Sequence, residues 1–223
     1  MSRYQFATLI AEIFELDSSL ILQLDTEELS RNIPTYIAKR PRHSGLKTFK
    51  IEEEIGKEID ILVMVQGDEP MDTPTMISDA LRPIREDETV DVVNLMGRIE
   101  SVEEFEDPNE VKVVINKNSD AIYFSREGIP TRKKGVLNVP MLKQVCVIPF
   151  RREYLLKFNK MSETELERIE SVDMMRIIEN GESVKMVMTE SEIFSVDTEQ
   201  DRARVEGKME SDLLMGQYKQ TLD

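Results

Sequence analysis

The sequence has little of what disulfides, zinc sites and membrane spans require. It contains one cysteine and one histidine among 223 residues, so no disulfide can form within the chain and a typical zinc site is disfavoured. No apolar stretch approaches the roughly 20 residues that cross a bilayer, and residues 1–6 lack the pattern of a signal peptide. We therefore expect a cytoplasmic protein with no membrane partner.

Positive charge is also scarce. Lys and Arg number 29 against 44 Asp and Glu, which gives a net charge of −15. This balance argues against nucleic acid as the main partner, because a polyanion is repelled by an acidic surface. The length suits one sizeable domain, and we predict a single domain over residues 1–223 with a C-terminal tail at 208–223.

The most informative feature present is an apolar run with an acidic end. Residues 61–65 are all apolar without helical spacing, and Gln66, Gly67, Asp68 and Glu69 follow. The run predicts a strand buried on both faces of a parallel sheet. Ligands bind at the carboxyl ends of such strands, and a carboxylate there can hold magnesium. The alternative is an acidic turn with no ligand.

Strands and helices alternate along the first half of the chain. We predict an α/β fold with a doubly wound, mostly parallel sheet and an antiparallel excursion at about 107–150. A Thr followed by Pro predicts a helix start at 73–74. The predicted strands are 20–24, a short one at 35–38, 61–65, 90–96, 111–115, 121–124, 144–150 and 184–187. The predicted helices open the chain and then cover about 46–58, 74–85, 152–158, 163–168, 171–179 and 199–210.

Four segments, in this order, resemble the bacterial 3-deoxy-manno-octulosonate (Kdo) cytidylyltransferases, also called CMP-Kdo synthetases. They are Val-Gln-Gly-Asp-Glu-Pro at 65–70, Asp-Pro-Asn-Glu-Val-Lys-Val-Val at 107–114 with Ala-Ile-Tyr-Phe-Ser-Arg at 121–126, Arg-Ile-Glu-Ser-Val-Asp-Met-Met-Arg at 168–176, and Ser-Val-Asp-Thr-Glu-Gln-Asp at 195–201. Each segment alone is a weak signal, but their common order indicates shared ancestry and fold.

The resemblance implies that CTP and an acidic, Kdo-like sugar react to give CMP-sugar and pyrophosphate, for cell-surface polysaccharide synthesis. Such transfers need positioning and charge neutralisation. By resemblance, Asp68 and Asp197 are the catalytic residues and bind Mg²⁺. The other residues implied to bind substrate are Gln66, Ser44, Gly45, Arg126, Gln144, Glu170 and Arg176. Without the resemblance, Asp197 would be a helix-start acid and Arg176 an ion-paired helix residue.

The sequence also departs from the family pattern. The family opens with a strand and a nucleotide-binding loop that have no counterpart here, and its His-x-Ser-Gly-Thr-Asp-Arg segment keeps only Ser44 and Gly45. A family histidine aligns with Gln144. The missing strand is central in such sheets, so we expect a fragment, a wrong start, or a gap that is filled by the remaining strands or by another chain. We expect activity at least ~10³-fold below that of a complete enzyme.

Two other interpretations stay open. The chain could be a non-catalytic paralogue that binds a sugar acid or nucleotide, or a cytidylyltransferase for a different acidic sugar of the sialic-acid kind. Family members are commonly dimers, so the resemblance also implies a homodimer. The apolar stretch at 136–147 is a candidate for its interface.

Overall fold

The structure is a computed structural model that describes residues 59–196 and 198–212. The strands are β1 (Ile61–Val65), β2 (Val93–Arg98), β3 (Lys112–Ile115), β4 (Ala121–Ser125), β5 (Leu142–Val145), β6 (Val147–Arg151) and β7 (Lys185–Met188). The helices are α1 (Pro74–Glu86), α2 (Val102–Glu106), α3 (Arg152–Phe158), α4 (Glu165–Glu170), α5 (Met174–Glu179) and α6 (Glu199–Met209). The predicted elements before residue 59 and the tail beyond 212 lie outside the described residues.

The larger sheet has five strands in the order β4–β3–β5–β2–β7. Strands β2 and β7 are parallel, whereas β2 with β5, β5 with β3, and β3 with β4 are antiparallel. The predicted antiparallel excursion at 107–150 is therefore confirmed, because β3, β4 and β5 all lie within it. The excursion fills one side of the sheet, and β2 and β7 lie on the other.

Strand β1 is present as predicted, but its pairing differs from the prediction. It pairs antiparallel with β6, with Val65 opposite Val147. Its side chains are only partly buried, and Val65 is 45% exposed. The prediction that this strand is buried on both faces was therefore wrong. The predicted parallel pairing was also wrong for β6, the neighbour that the structure describes. An apolar run indicates a strand, but it carries no information about the direction of a partner that lies more than 80 residues later.

The predicted strand at 144–150 is two strands that separate at Cys146. Strand β5 belongs to the larger sheet, and β6 belongs to the pair with β1. The backbone of Cys146 bonds the turn after β1: its N–H donates to the Glu69 carboxylate, and its carbonyl accepts from Gln66. Because these groups serve another segment, Cys146 marks the crossing from one sheet to the other.

The helices follow local signals with two differences. Helix α1 begins at Pro74, and the Thr73 hydroxyl accepts a hydrogen bond from the Met76 N–H. Helix α5 begins at Met174 rather than at 171, because Ser171 ends α4 with a left-handed backbone (φ 55°). The short helix α2, capped by the Ser101 hydroxyl, was not predicted.

The core consists of two apolar clusters, one on each side of the sheets. Helix α1 covers the first with Met76, Ala80 and Ile84, which pack against β2 and β6. Helices α3 and α5 cover the second, with Phe158 and Met175 among its buried residues. The described helices include none that is long and apolar enough to cross a membrane. The described residues belong to one compact unit, Glu52–Asp223.

Candidate active site

The turn after β1, residues 66–72, carries the candidate metal-binding acids. The Glu69 N–H donates to the Gln66 carbonyl at 3.3 Å, and the Asp72 N–H donates to the Glu69 carbonyl at 3.3 Å. These bonds fold the turn back on itself and leave the Asp68 side chain exposed. An exposed carboxylate at this position is accessible to a cation or a substrate.

Glu69 fastens the turn to the crossing between the two sheets. Both of its carboxylate oxygens accept the Cys146 N–H, at 3.1 and 3.0 Å, and the side chain is buried. Burial, with smaller contributions from the negative charges of Asp72 and Asp68, raises the pKa of Glu69 to about 8 against the opposing effect of the Cys146 hydrogen bond. Glu69 therefore shapes the turn, whereas Asp68 faces outward.

Asp72 supplies a second carboxylate beside Asp68. Burial is the main cause that raises its pKa to about 6, and the charge of Asp68 adds to it. Its Oδ2 atom is buried and has no hydrogen-bond partner among the residues that the structure describes. A buried, unpaired carboxylate oxygen next to another carboxylate is a favourable environment for a hard cation. Among residues 59–196 and 198–212, no three Asp, Glu, His or Cys side chains are arranged to hold a metal.

The segment before α6 lies against the same turn. The Val196 N–H donates to the Asp68 carbonyl at 2.8 Å. Two residues later, Thr198 caps α6 in a reciprocal capping box with Asp201. The long-range bond joins segments that are 128 positions apart. Asp197 itself lies outside the described residues, as do Ser44 and Gly45.

Gln144 is fixed by a buried polar neighbour that the sequence analysis missed. Its side-chain amide donates to Asn94 Oδ1 at 2.7 Å, and its backbone N–H donates to the Val111 carbonyl at 2.8 Å. Asn94 is fully buried on β2, and its own amide donates to the Leu95 and Val145 carbonyls. A polar residue inside the apolar run at 90–96 was the available signal, because such residues are buried only with partners.

Arg126 and Glu170, two residues that the resemblance implies near the sugar, contact each other, and their role in sugar binding stays a prediction. The Arg126 N–H donates to Glu170 Oε2 at 2.9 Å, and the Arg126 guanidinium donates to the Glu170 and Pro108 carbonyls, each at 2.8 Å. Glu170 Oε1 accepts from the Tyr123 and Ser125 hydroxyls, both at 3.1 Å. Glu170 therefore holds the end of β4 in place.

Arg176 has a different set of contacts. Its guanidinium forms a two-pronged ion pair with Glu167, with the Nε–Oε2 distance at 2.7 Å, and stacks over the Phe158 ring at 4.5 Å. Hydrogen bonding to Glu167 raises the pKa of Arg176. This is the geometry of an ion-paired helix residue, and these contacts are with neither Arg126 nor Glu170. These contacts favour a structural task for Arg176, and they do not test the role in the sugar pocket that the resemblance implies.

Comparison with known proteins places this arrangement in a class. The family model described as cytidylyltransferase matches residues 35–187, which include the turn after β1, Arg126 and Gln144. The chain is thus a protein of the cytidylyltransferase class.

The particular family follows from individual relatives. The chain is 33% identical to the 3-deoxy-manno-octulosonate cytidylyltransferase of Fusobacterium nucleatum over 194 residues. This match covers 84% of this chain and 78% of that protein. The chain is also 34% identical over 206 residues to the enzyme of the same name from Geotalea uraniireducens, covering 85% and 81%. The chain belongs to the 3-deoxy-manno-octulosonate cytidylyltransferase family, as the four motifs indicated.

A solved structure agrees with this family. The structure of CMP:2-keto-3-deoxy-manno-octonic acid synthetase complexed with CTP is similar to this chain with a TM-score of 0.65 and 31% identity, covering 74% of this chain and 67% of that one. The likeness confirms the predicted α/β fold class. Within the described part, the parallel pair β2–β7 and its antiparallel extension represent that fold.

Proposed function

We propose that this protein transfers CMP from CTP to Kdo, an eight-carbon acidic sugar, and releases pyrophosphate. The anomeric hydroxyl of the sugar would attack the α-phosphorus; a phosphorus–oxygen bond forms, the bond to the bridging oxygen of pyrophosphate breaks, and the hydroxyl proton is lost. The observation that carries the proposal is the exposed Asp68 in a turn bonded to the segment just before Asp197. The relatives' name gives the sugar.

Asp68 and Asp197 would hold the divalent metal that nucleotidyltransferases typically use, and we propose Mg²⁺. Bound there, the ion would neutralise phosphate charge. Mg²⁺ accepts one or two protein carboxylates and takes its remaining ligands from phosphates and water, so a site without a third protein ligand fits it. Asp72 Oδ2, which is buried beside Asp68 and has no hydrogen-bond partner within 59–196 and 198–212, supports a cation in this turn.

The sugar would bind with its carboxylate near Arg126. A guanidinium carries five N–H groups in a planar fork that matches a carboxylate, and the Glu170 and Pro108 carbonyls use only part of that capacity. Gln66, Ser44, Gly45 and Gln144 would contact the nucleotide or sugar. We further propose a cytoplasmic homodimer.

The direct test is pyrophosphate release from CTP, Kdo and Mg²⁺, with a sialic acid as the competing sugar. We expect turnover with Kdo that requires the metal. If a protein that binds CTP with micromolar, Mg²⁺-dependent affinity releases pyrophosphate only with the sialic acid, Kdo is the wrong substrate. Failure to bind CTP by calorimetry would instead favour the non-catalytic alternative.

Replacing the exposed metal-site acid tests the mechanism. In Asp68→Asn we expect kcat/KM for pyrophosphate release to fall about 10²–10³-fold, because a neutral amide holds the cation poorly. The matched control is Asp79→Asn on α1, whose carboxylate lies 3.5 Å from Arg82 outside the site. Equal activity of the two variants would remove Asp68 from the metal site.

A further inference from the structure

Lys112 is a buried lysine to which neither the motifs nor the family comparison assigns a role. It lies on β3 with its side chain fully buried. Charged side chains are rarely buried without partners. A lysine in this position therefore needs a structural or functional reason.

Its ammonium group donates to three backbone carbonyls. Nζ lies 2.7 Å from the Asp107 oxygen, 2.6 Å from the Glu110 oxygen and 2.5 Å from the Arg126 oxygen. A lysine has three N–H donors and no acceptor, so these carbonyls match its full capacity. Two belong to the turn before β3, and the third belongs to the residue that follows β4.

These bonds connect the backbone of Arg126 to the turn that supports its guanidinium. The Arg126 carbonyl is bound by Lys112, and its N–H by the Glu170 carboxylate. Its Nη1 donates to the Pro108 carbonyl, which lies in the turn before β3. Lys112 binds two other carbonyls of the same turn, at 107 and 110. Lys112 thus ties the backbone of Arg126 to the loop on which its side chain rests.

We propose that Lys112 is a positioning residue for Arg126 and thereby sets the affinity of the sugar-acid subsite. The inference rests on the proposed function, in which Arg126 binds the sugar carboxylate. Lys112 does not touch the sugar in this arrangement. It fixes the angle and position of the guanidinium, and a bidentate contact with a carboxylate is sensitive to both.

The chain offers a matched control in the neighbouring strand. Lys143 lies opposite Lys112 in the register of β3 and β5 and is also buried. Its ammonium pairs with the Glu104 and Glu110 carboxylates at 2.7 and 3.1 Å rather than with Arg126. Replacing either lysine by methionine removes a buried charge, but only the change at 112 releases the Arg126 carbonyl.

The experiment measures Kdo binding by calorimetry and the KM for Kdo in the full-length chain, with folding verified by circular dichroism. We expect Lys112→Met to weaken Kdo binding about 10-fold or more, equivalent to about 1.4 kcal/mol, with CTP affinity unchanged. We expect Lys143→Met to keep the affinity for Kdo even if it lowers stability. In an Arg126→Ala background, Lys112→Met should add no further loss, because its effect passes through Arg126.

Four results would overturn the inference. The first is an unchanged Kdo affinity in folded Lys112→Met. The second is an equal loss of Kdo affinity in Lys143→Met, and the third is an undiminished effect of Lys112→Met in the Arg126→Ala background. Each of these overturns the inference and leaves the proposed function intact. If the wild-type protein binds CTP but no Kdo, the proposed sugar is wrong and the inference falls with it. Should Lys112→Met not fold, Lys112→Gln, which keeps two donors, is judged by the same criteria.

Discussion

At the scale of single residues, the acidic turn combines carboxyl groups with opposite tasks. Glu69 is buried and bonded to Cys146, whereas Asp68 is exposed. The pKa of Glu69 is raised from 4.5 to about 8 and that of Asp72 from 3.8 to about 6, in both cases chiefly by burial. The folded protein therefore holds protons that the unfolded chain releases.

These raised pKa values predict how the stability of the metal-free protein depends on pH. Each group's contribution to the free energy of unfolding is fully present below the group's unfolded pKa and is lost as pH rises through its folded pKa. Between pH 6 and 8 the contribution of Glu69 therefore declines, with a slope of up to about 1.4 kcal/mol per pH unit. We expect Glu69→Gln to flatten urea-unfolding stability against pH in this window, measured with EDTA. The exposed-residue control, Glu88→Gln, should leave the profile as it is; an unaltered slope in Glu69→Gln would contradict the assignment.

Arg176 illustrates how a residue in a motif can have a structural task. Its partner Glu167 is buried and also completes the capping box of α4 through the Thr164 N–H. Removing one member of a buried pair leaves the other charge uncompensated. The pair therefore predicts a loss of stability rather than of sugar affinity.

For Arg176→Leu we expect the free energy of unfolding to fall by about 3 kcal/mol, measured by urea denaturation. The KM for Kdo of the folded variant should stay within about twofold, a difference of only ~0.4 kcal/mol. Arg168→Leu is the control, because Arg168 is exposed on α4. A large rise in KM with unchanged stability would instead put Arg176 in the sugar pocket.

At the scale of elements, α1 shows why local signals can predict a helix start. Pro74 occupies the first turn, where a missing N–H costs no hydrogen bond, and the Thr73 hydroxyl accepts from Met76 at 3.3 Å. The helix then directs Met76, Ala80 and Ile84 into the core. Its start directly follows the acidic turn, so the cap also fixes where that turn ends.

We expect Thr73→Ala to lower the free energy of unfolding by about 1 kcal/mol, because the Met76 N–H loses its acceptor. Thr75→Ala, at the exposed second residue of the same helix, should be neutral or slightly stabilising because alanine favours the helical conformation. Urea denaturation of the pair measures the difference. Equal effects would indicate that the cap contributes nothing beyond helix propensity.

At the scale of the whole molecule, the net charge of −15 bears on how an acidic nucleotide can bind. An acidic protein repels a triphosphate at long range, so we expect binding of CTP to be coupled to a cation. In the proposed function, Asp68 of the turn after β1 supplies that cation's site together with Asp197. Nucleotide and metal should therefore stabilise the protein only together.

Thermal unfolding tests this coupling. At a CTP concentration 100 times Kd with Mg²⁺, mass action gives about 2.7 kcal/mol, or a rise in Tm of roughly 5–10 °C for a chain of this size. Adding EDTA should abolish the rise, and ATP should produce less of it. A metal-independent shift would show that the nucleotide binds away from the acidic turn.

The sequence alone determined what depends on near neighbours. Thr73 and Pro74 predicted the start of α1, the apolar runs predicted the strands, and four ordered motifs predicted the family that the comparisons then established. These signals work because capping, turns and side-chain alternation act over a few residues. They gave Asp68 and Arg126 as candidates without their surroundings.

Only the tertiary structure decided which distant groups meet. It paired β1 with β6, split the predicted strand at Cys146, bonded Val196 to Asp68, and surrounded the Lys112 ammonium with carbonyls from two separate segments. The physical reason is that a backbone carbonyl or N–H has the same chemistry at every position. Its partner is chosen by packing across the whole chain.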